Sequence, residues 1–292
     1  MQSPIMAAHT SGTSRSKITL KGTQETLFIT LYGRYVDALS EDPILGDKWV
    51  GPILEQVDYD FSKLGIGQGT SNSIATRGRL FDRWTRDFLA LHPMATVIHM
   101  ACGLDTRAHR LEWGEGVRWI DVDLPDVVEL RRKLIPEPEG NRDYTLLAGS
   151  AIDPEFIKSL PNDRPTIIVI EGLTIYLEPE DGEMMVATMC THFKTGEMMM
   201  DGVNWLVLAT QRFFAYVRNT SSTLRWAINP EELENKHTPL RLLEAPALYT
   251  LDTMSRYPGG ARFFMWLMSL FPATRNTIRY LHYGFGSAAG SE

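Results

Sequence analysis

Apolar residues in the middle of the chain fall in short runs separated by stretches of helical spacing. The runs at Thr96–Met100, Val117–Val122, Tyr144–Ala148, Thr166–Ile170 and Glu197–Val203 predict strands, and helices are predicted at Asp126–Leu134 and Pro179–Phe193. Apolar strands alternating with helices predict a parallel sheet covered on both faces. Upstream, Leu27, Leu31 and Val36 share one face of a predicted helix that ends before the turn at Asp42-Pro43. A second helix is predicted from Ser71, capped by Ser71, Asn72 or Ser73 and closed by Pro93, with the stripe Phe81, Trp84, Phe88, Leu91. After Val203 the rhythm breaks. Residues 205–228 are rich in aromatics and show little strand pattern. A short helix around Pro230–Asn235, a strand in Leu240–Ala245, a helix over Arg262–Phe271 and a last strand in Thr277–Phe285 complete the prediction. This organisation reads as one α/β domain over 18–292, with a helical cap at about 23–93 and a lid insertion at about 205–238. Residues 1–17 lack the apolar core of a secretion signal and read as a flexible tail.

The order of features from Thr96 to Asp123 points to chemistry. A strand ends in the small-residue turn Ala101-Cys102-Gly103, and about twenty residues later a second strand ends at Asp121 and Asp123. In a Rossmann-like βαβ unit such a turn lets a nucleoside approach the backbone, and an acid after the second strand accepts hydrogen bonds from ribose hydroxyls. Strand parity favours Asp123, beside Leu124-Pro125, over Asp121. With one glycine in the turn, no pyrophosphate cradle is written there, so a nucleoside without phosphates is expected, of which S-adenosylmethionine is the common one.

Composition narrows the classes. The 292 residues are 43% hydrophobic and 22% charged, with a formal charge of −7. No basic run resembles a nucleic-acid footprint, and no segment reaches the roughly 18 apolar residues of a membrane span. A cytoplasmic protein with neither nucleic acid nor membrane as partner is the expectation. Cys102 and Cys190 are the only cysteines, both in apolar segments, which argues against a disulfide framework or a cysteine metal site. His99 lies within a strand, and His109, His192, His237 and His282 lack metal-ligand spacing, so no metal is expected. No nucleophile elbow, P-loop or zincin motif is present, which leaves hydrolase and NTPase readings without support.

Other strand ends offer further candidates. Arg77 lies four residues before Phe81 on the same apolar helix face, where a cation needs an anion: an internal carboxylate or a ligand's. Ala148-Gly149-Ser150-Ala151 ends the third strand, where small residues could admit a flat adenine with Ser150 as hydrogen-bond partner; a helix cap explains Ser150 equally well. Glu171-Gly172 ends the fourth strand, where the carboxylate either faces water or holds the ammonium of a methionyl group. Trp205, Phe213, Phe214, Tyr216, Trp226, Phe263, Phe264 and Trp266, outside the sheet pattern, are candidates for walls of a flat apolar acceptor's pocket, with Tyr32 and Tyr176 supplying polar ends. Taken singly, each aromatic is better explained as an ordinary core residue; the pocket reading rests on the group.

The segments ETLFITLYGRYVDAL, VDYDFSKL, ATRGRLFDRWTRDFL, ACGLDTRAHRL, IDVDLPDVVELRRK, GSAIDPEFI, IEGLTIYLEPED, LRWAINPEELE and RYLHYGF, in this order from about Glu25 to Phe285, resemble the leucine carboxyl methyltransferase family. They resemble in particular its polyketide O-methyltransferase branch. The resemblance implies a class I methyltransferase fold with a seven-stranded sheet, S-adenosylmethionine as donor and S-adenosylhomocysteine as product. It implies Arg77 on the methionyl carboxylate, Gly103 beneath the donor, Asp123 on the ribose, Ser150 with Ala151 near the adenine, and Glu171 near the amine and methyl. Ala101 departs from the family's usual glycine and is expected to crowd the turn. Ser150, where the protein-directed branch has an aspartate, favours a small-molecule acceptor over a protein carboxyl terminus. Lacking an evident His/Asp base pair, the chain is expected to methylate a carboxylate or an acidic hydroxyl of an aromatic, polyketide-type compound. A donor-binding cyclase or dehydratase on the same fold is the alternative.

Overall fold

The computed structural model describes residues 26–140, 143–213, 223–237, 239–250, 255, 257 and 259–286. The predicted tail, Phe214 and Tyr216 lie outside the described residues. Three helices come first: α1 (Thr26–Ala38), α2 (Val50–Glu55) and α3 (Gln68–Leu91). Then β1 (Thr96–Met100), α4 (Arg107–Arg110), β2 (Arg118–Asp123), α5 (Pro125–Leu134), β3 (Asp143–Ala148), α6 (Pro154–Ser159), β4 (Thr166–Ile170), α7 (Pro179–His192) and β5 (Thr195–Val203) follow. The C-terminal part holds α8 (Trp205–Thr210), α9 (Pro230–Lys236), β6 (Leu240–Glu244), α10 (Gly259–Ser269), α11 (Pro272–Arg275) and β7 (Ile278–Gly286).

The strands form one seven-stranded sheet in the order β3-β2-β1-β4-β5-β7-β6. The first five are parallel, and β7 runs antiparallel to both β5 and β6. β1 and β4 are buried along their whole length, which is why their sequences are apolar on both faces. Alternate residues serve two cores. Ile98, Met100, Ile168 and Ile170 meet Met185, Val186 and Met189 of α7; Val97, Ile167 and Val169 meet Phe81, Trp84 and Phe88 of α3. A third cluster, including Phe28, Leu31, Val50, Ile53 and Ile74, binds α1 to α2 and α3.

Several local expectations are corrected. α3 starts at Gln68 with Gly67 as its N-cap residue, so Ser71, Asn72 and Ser73 lie inside the helix. Buried Ser71 instead donates its hydroxyl to Gly33 O at 2.7 Å, tying α3 to α1. Leu91, placed on the buried stripe by spacing, is 74% exposed because the last helical turn overruns the core. The predicted helix to Phe271 stops at Ser269, because Pro272 forces Phe271 into an extended conformation (φ −113°, ψ 132°) and opens a separate short helix.

Candidate functional site

β1 and β2 both point their carboxyl ends at a sharp turn. Gly103 there has φ +51°, which glycine adopts without penalty; Ala101 has the same φ and is the only described non-glycine residue in the left-handed region. The Asp123 carboxylate clamps this turn, accepting from Gly103 N at 2.7 Å and from Leu124 N at 2.8 Å. Burial raises the Asp123 pKa, and the two backbone donors only partly offset that.

Above the turn lies a cavity of about 270 Å³ walled by the ends of four strands. Ala101, Cys102 and Gly103 line it from β1, Asp123 and Leu124 from β2, Gly149, Ser150 and Ala151 from β3, and Glu171 and Gly172 from β4. Arg34 of α1 and Arg77 of α3 close it, and Tyr176 and Leu177 border it after β4. Gly149 leaves room for Phe156, whose ring would lie 2.2 Å from any Cβ there, so α6 can pack close beneath the β3 turn.

The cavity's charged wall is an ion-pair lattice. Glu171 accepts from Arg34 Nη2 at 3.0 Å, Arg77 Nε at 3.1 Å and Arg107 Nη2 at 2.7 Å. Arg77 also meets Asp201 at 2.8 Å, whose other oxygen accepts from Gly172 N at 2.6 Å. Asp105 binds Arg34 at 2.5 Å and Arg110 at 2.6 Å, and Asp82 joins Arg107 to Arg110. Burial opposes ionisation of Glu171, but Arg77, Arg34 and Arg107 together hold its carboxyl well below the usual range. Arg34 Nε is buried and has no hydrogen-bond partner among the described residues. That donor, in the cavity wall, is suited to a ligand carboxylate.

The two acids of β2 therefore separate. Asp123 lines the cavity, whereas Asp121 does not. Asp121 accepts from Arg131 at 2.6 Å, Trp119 Nε1 at 2.8 Å and the Tyr144 hydroxyl at 2.9 Å. Burial raises its pKa, but Arg131 and His99 outweigh this and bring it down to about 2. Asp121 is a structural anchor for α5. Arg77 has the internal carboxylates that one reading required, and it also faces the cavity that the other required.

The aromatic acceptor wall is not assembled as expected. Trp226 is 4% exposed and belongs to the main core; its ring would lie 2.2 Å from any Cβ on Gly182 of α7. Trp205, Phe213 and Trp266 are 65%, 64% and 52% exposed and line no part of the cavity. Tyr32 stacks on Phe61 at 5.3 Å, outside the cavity, whereas Tyr176 borders it. Sequence reasoning missed Arg34, Asp105, Arg107 and Asp201. The cue for Arg34 was available: it sits seven residues after Leu27 on a helix face, as Arg77 sits four before Phe81. Among the described residues, no group of three or more His, Cys, Asp or Glu could hold a metal ion, and no helix is long and apolar enough to cross a membrane.

A class I methyltransferase fold is defined by this sheet order and by the ligand-sized cavity where the strand order reverses, between β1 and β4. The crystal structure of a "putative methyltransferase" from Thermobifida fusca shares the fold, with a TM-score of 0.58, 18% identity and coverage of 91% of this chain and 96% of that one. The leucine carboxyl methyltransferase family model matches residues 32–190, and the chain belongs to that family. It is 37% identical over 275 residues to the tetracenomycin polyketide synthesis O-methyltransferase TcmP of Streptomyces glaucescens, covering 92% of this chain and 98% of that protein. It is also 34% identical over 244 residues to an S-adenosyl-L-methionine-dependent methyltransferase of Gibberella zeae, covering 77% and 82%.

Proposed function

We propose that the protein transfers a methyl group from S-adenosylmethionine to an ionised oxygen of a small aromatic, polyketide-type acceptor. The observation that carries this reading is the Asp123 carboxylate, fixed by Gly103 N and Leu124 N at the floor of a cavity without a phosphate cradle. Its remaining lone pairs suit the ribose hydroxyls, with Ser150 and Ala151 beside the adenine. The unpaired Arg34 Nε and the Arg77 guanidinium suit the methionyl carboxylate. Glu171 holds both arginines and, with three of about four acceptor sites taken, has one left for the methionyl ammonium. When bound, the sulfonium supplies an electrophilic methyl; the protein's task is to hold the acceptor oxygen in line at about 3–3.5 Å.

His99 is the histidine that lines the cavity, and it is tied into the charged lattice rather than presented to an acceptor. It is buried, 3.4 Å from Asp121 and 3.4 Å from Arg107. A carboxylate, or a hydroxyl acidified by its own conjugation, arrives ionised at neutral pH and needs no base. Tyr176 at the rim is the group that could orient it. The likeness to a polyketide O-methyltransferase supports the acceptor class. The test is calorimetric titration with S-adenosylmethionine and S-adenosylhomocysteine, then mass analysis of aromatic polyketide acids and phenols incubated with and without donor. One donor per chain and a product heavier by one methylene, formed only with donor, is the expected result. Conversion without donor would replace this reading by a non-methylating one.

A further inference from the structure

Helix α10 is apolar on almost every side, yet Met265 is its only fully buried residue. Phe263, Phe264, Trp266, Leu267 and Leu270 are 63%, 56%, 52%, 42% and 51% exposed, and Phe271 just beyond is 61% exposed. At 3.6 residues per turn Phe263, Trp266 and Leu267 form one stripe opposite Met265, with Phe264 along its edge and exposed Leu270 and Phe271 following just past the helix end. Arg262, the one charged residue of the helix, falls to the side of the stripe. A helix apolar all round is normally a buried helix.

We infer that this stripe is the contact between two copies of the chain, paired α10 to α10 about a twofold axis. With about 150–250 Å² per aromatic side chain, the exposed fractions amount to about 600 Å² of apolar surface, the upper end for a lone patch on a monomer. With its rim, that approaches the roughly 800 Å² per partner of a stable interface. The stripe is uncharged and rich in Phe, Trp and Leu, as the centre of a homodimer interface is. A single helical stripe meets its own copy as ridge and groove alike, which closes the assembly at two. An anionic lipid surface fits worse: α10 and α11 carry only Arg262 and Arg275 as cations, and the whole chain carries −7.

The pairing also stands at the functional end of the sheet. Asn204, directly after β5, donates from Nδ2 to Ala273 O of α11 at 2.7 Å and from its backbone N to Thr277 O at 3.2 Å. Thus α11, directly after α10, is anchored to the carboxyl end of β5, on the same edge of the sheet as the cavity and next to exposed Trp205.

Sedimentation velocity of the full chain over a wide concentration range tests this. The expected result is a dimer whose affinity rises with salt, because two copies of charge −7 repel. Phe263→Glu with Leu270→Glu should weaken the dimer about 100-fold or more, since each puts an unpaired carboxylate in the contact. Thermal unfolding and donor titration should stay as in the parent. Leu267→Cys should form a covalent dimer on oxidation and Lys48→Cys should not, because Cys102 and Cys190 are buried; this arm stands even if the double variant misfolds. A monomer at every concentration, with or without affinity for anionic vesicles, would overturn the inference. So would a dimer indifferent to the substitutions. Donor titration reads the methyltransferase proposal separately, so the two can fail independently.

Discussion

Arg77→Met separates structural from ligand roles at the cavity wall. The substitution removes the 2.8 Å pair to Asp201 and the 3.1 Å pair to Glu171. Glu171 keeps Arg34 and Arg107, so its charge stays compensated. Asp201, only 5% exposed, keeps the Gly172 N–H but loses its only ion-pair partner among the described residues. Leaving such a charge unpaired costs about 3–5 kcal/mol. Adding Asp201→Asn removes the stranded charge while keeping an acceptor for Gly172 N, and should recover about half of that loss. Donor affinity should behave differently. A charge-assisted hydrogen bond is worth about 1.5–3 kcal/mol, so losing the cavity-facing guanidinium should weaken S-adenosylhomocysteine about 10- to 100-fold in the single and double variants alike. Urea unfolding and calorimetric titration give the two readouts. Recovery of donor affinity along with stability in the double variant would show that Arg77 acts only through the lattice. A loss below about 1 kcal/mol in the single variant would refute the buried-charge argument itself.

Further outcomes follow from other residues. Asp123→Ala should weaken the donor at least about tenfold, since ribose contacts to a carboxylate are charge-assisted; unchanged affinity in titration would remove Asp123 from the site. In the parent, donor affinity should begin to fall on acidification at a higher pH than a free aspartate would titrate, because the Asp123 pKa is raised and the acceptor must be ionised. Ala101→Gly should relieve a left-handed alanine at φ +51° and, after the entropy cost of glycine in the unfolded chain, raise stability by about 0.5–1 kcal/mol, read by thermal melting. Trp226→Ala should cost about 3–5 kcal/mol by opening the core over Gly182, without changing which acceptors react, and a changed acceptor range would return Trp226 to the pocket. Asp121, with its pKa lowered from 3.8 to about 2, contributes stability that is full above pH 4 and is lost as pH falls through 2. The lost amount is about 2.5 kcal/mol, and Asp121→Asn should flatten that part of the acid-unfolding curve.

Periodicity alone was enough for the strands β1 and β4, because parallel strands buried on both faces must be apolar throughout and their runs stand out from amphipathic helices. The turn at Gly103 and the acid at Asp123 were legible for a related reason: both lie next to strand ends, and a ligand site built from strand ends is local in sequence at each piece. What tertiary structure alone decided is pairing across distance. Arg34 and Glu171 are 137 residues apart, Arg77 and Asp201 are 124 apart, and no local pattern says which carboxylate a buried guanidinium will find. Asp121 and Asp123 carry the same chemistry two residues apart. Both project from the same face of β2, but Asp121 lies back along the strand against Arg131 of α5, and Asp123 ends the strand at the cavity. The aromatics of the C-terminal part share one composition, yet Trp226 is core because Gly182 leaves space for its ring, and Trp266 is exposed because no described element covers its side of α10. Residue type set how much each side chain gains by leaving water, and the fold set which of them had somewhere to go.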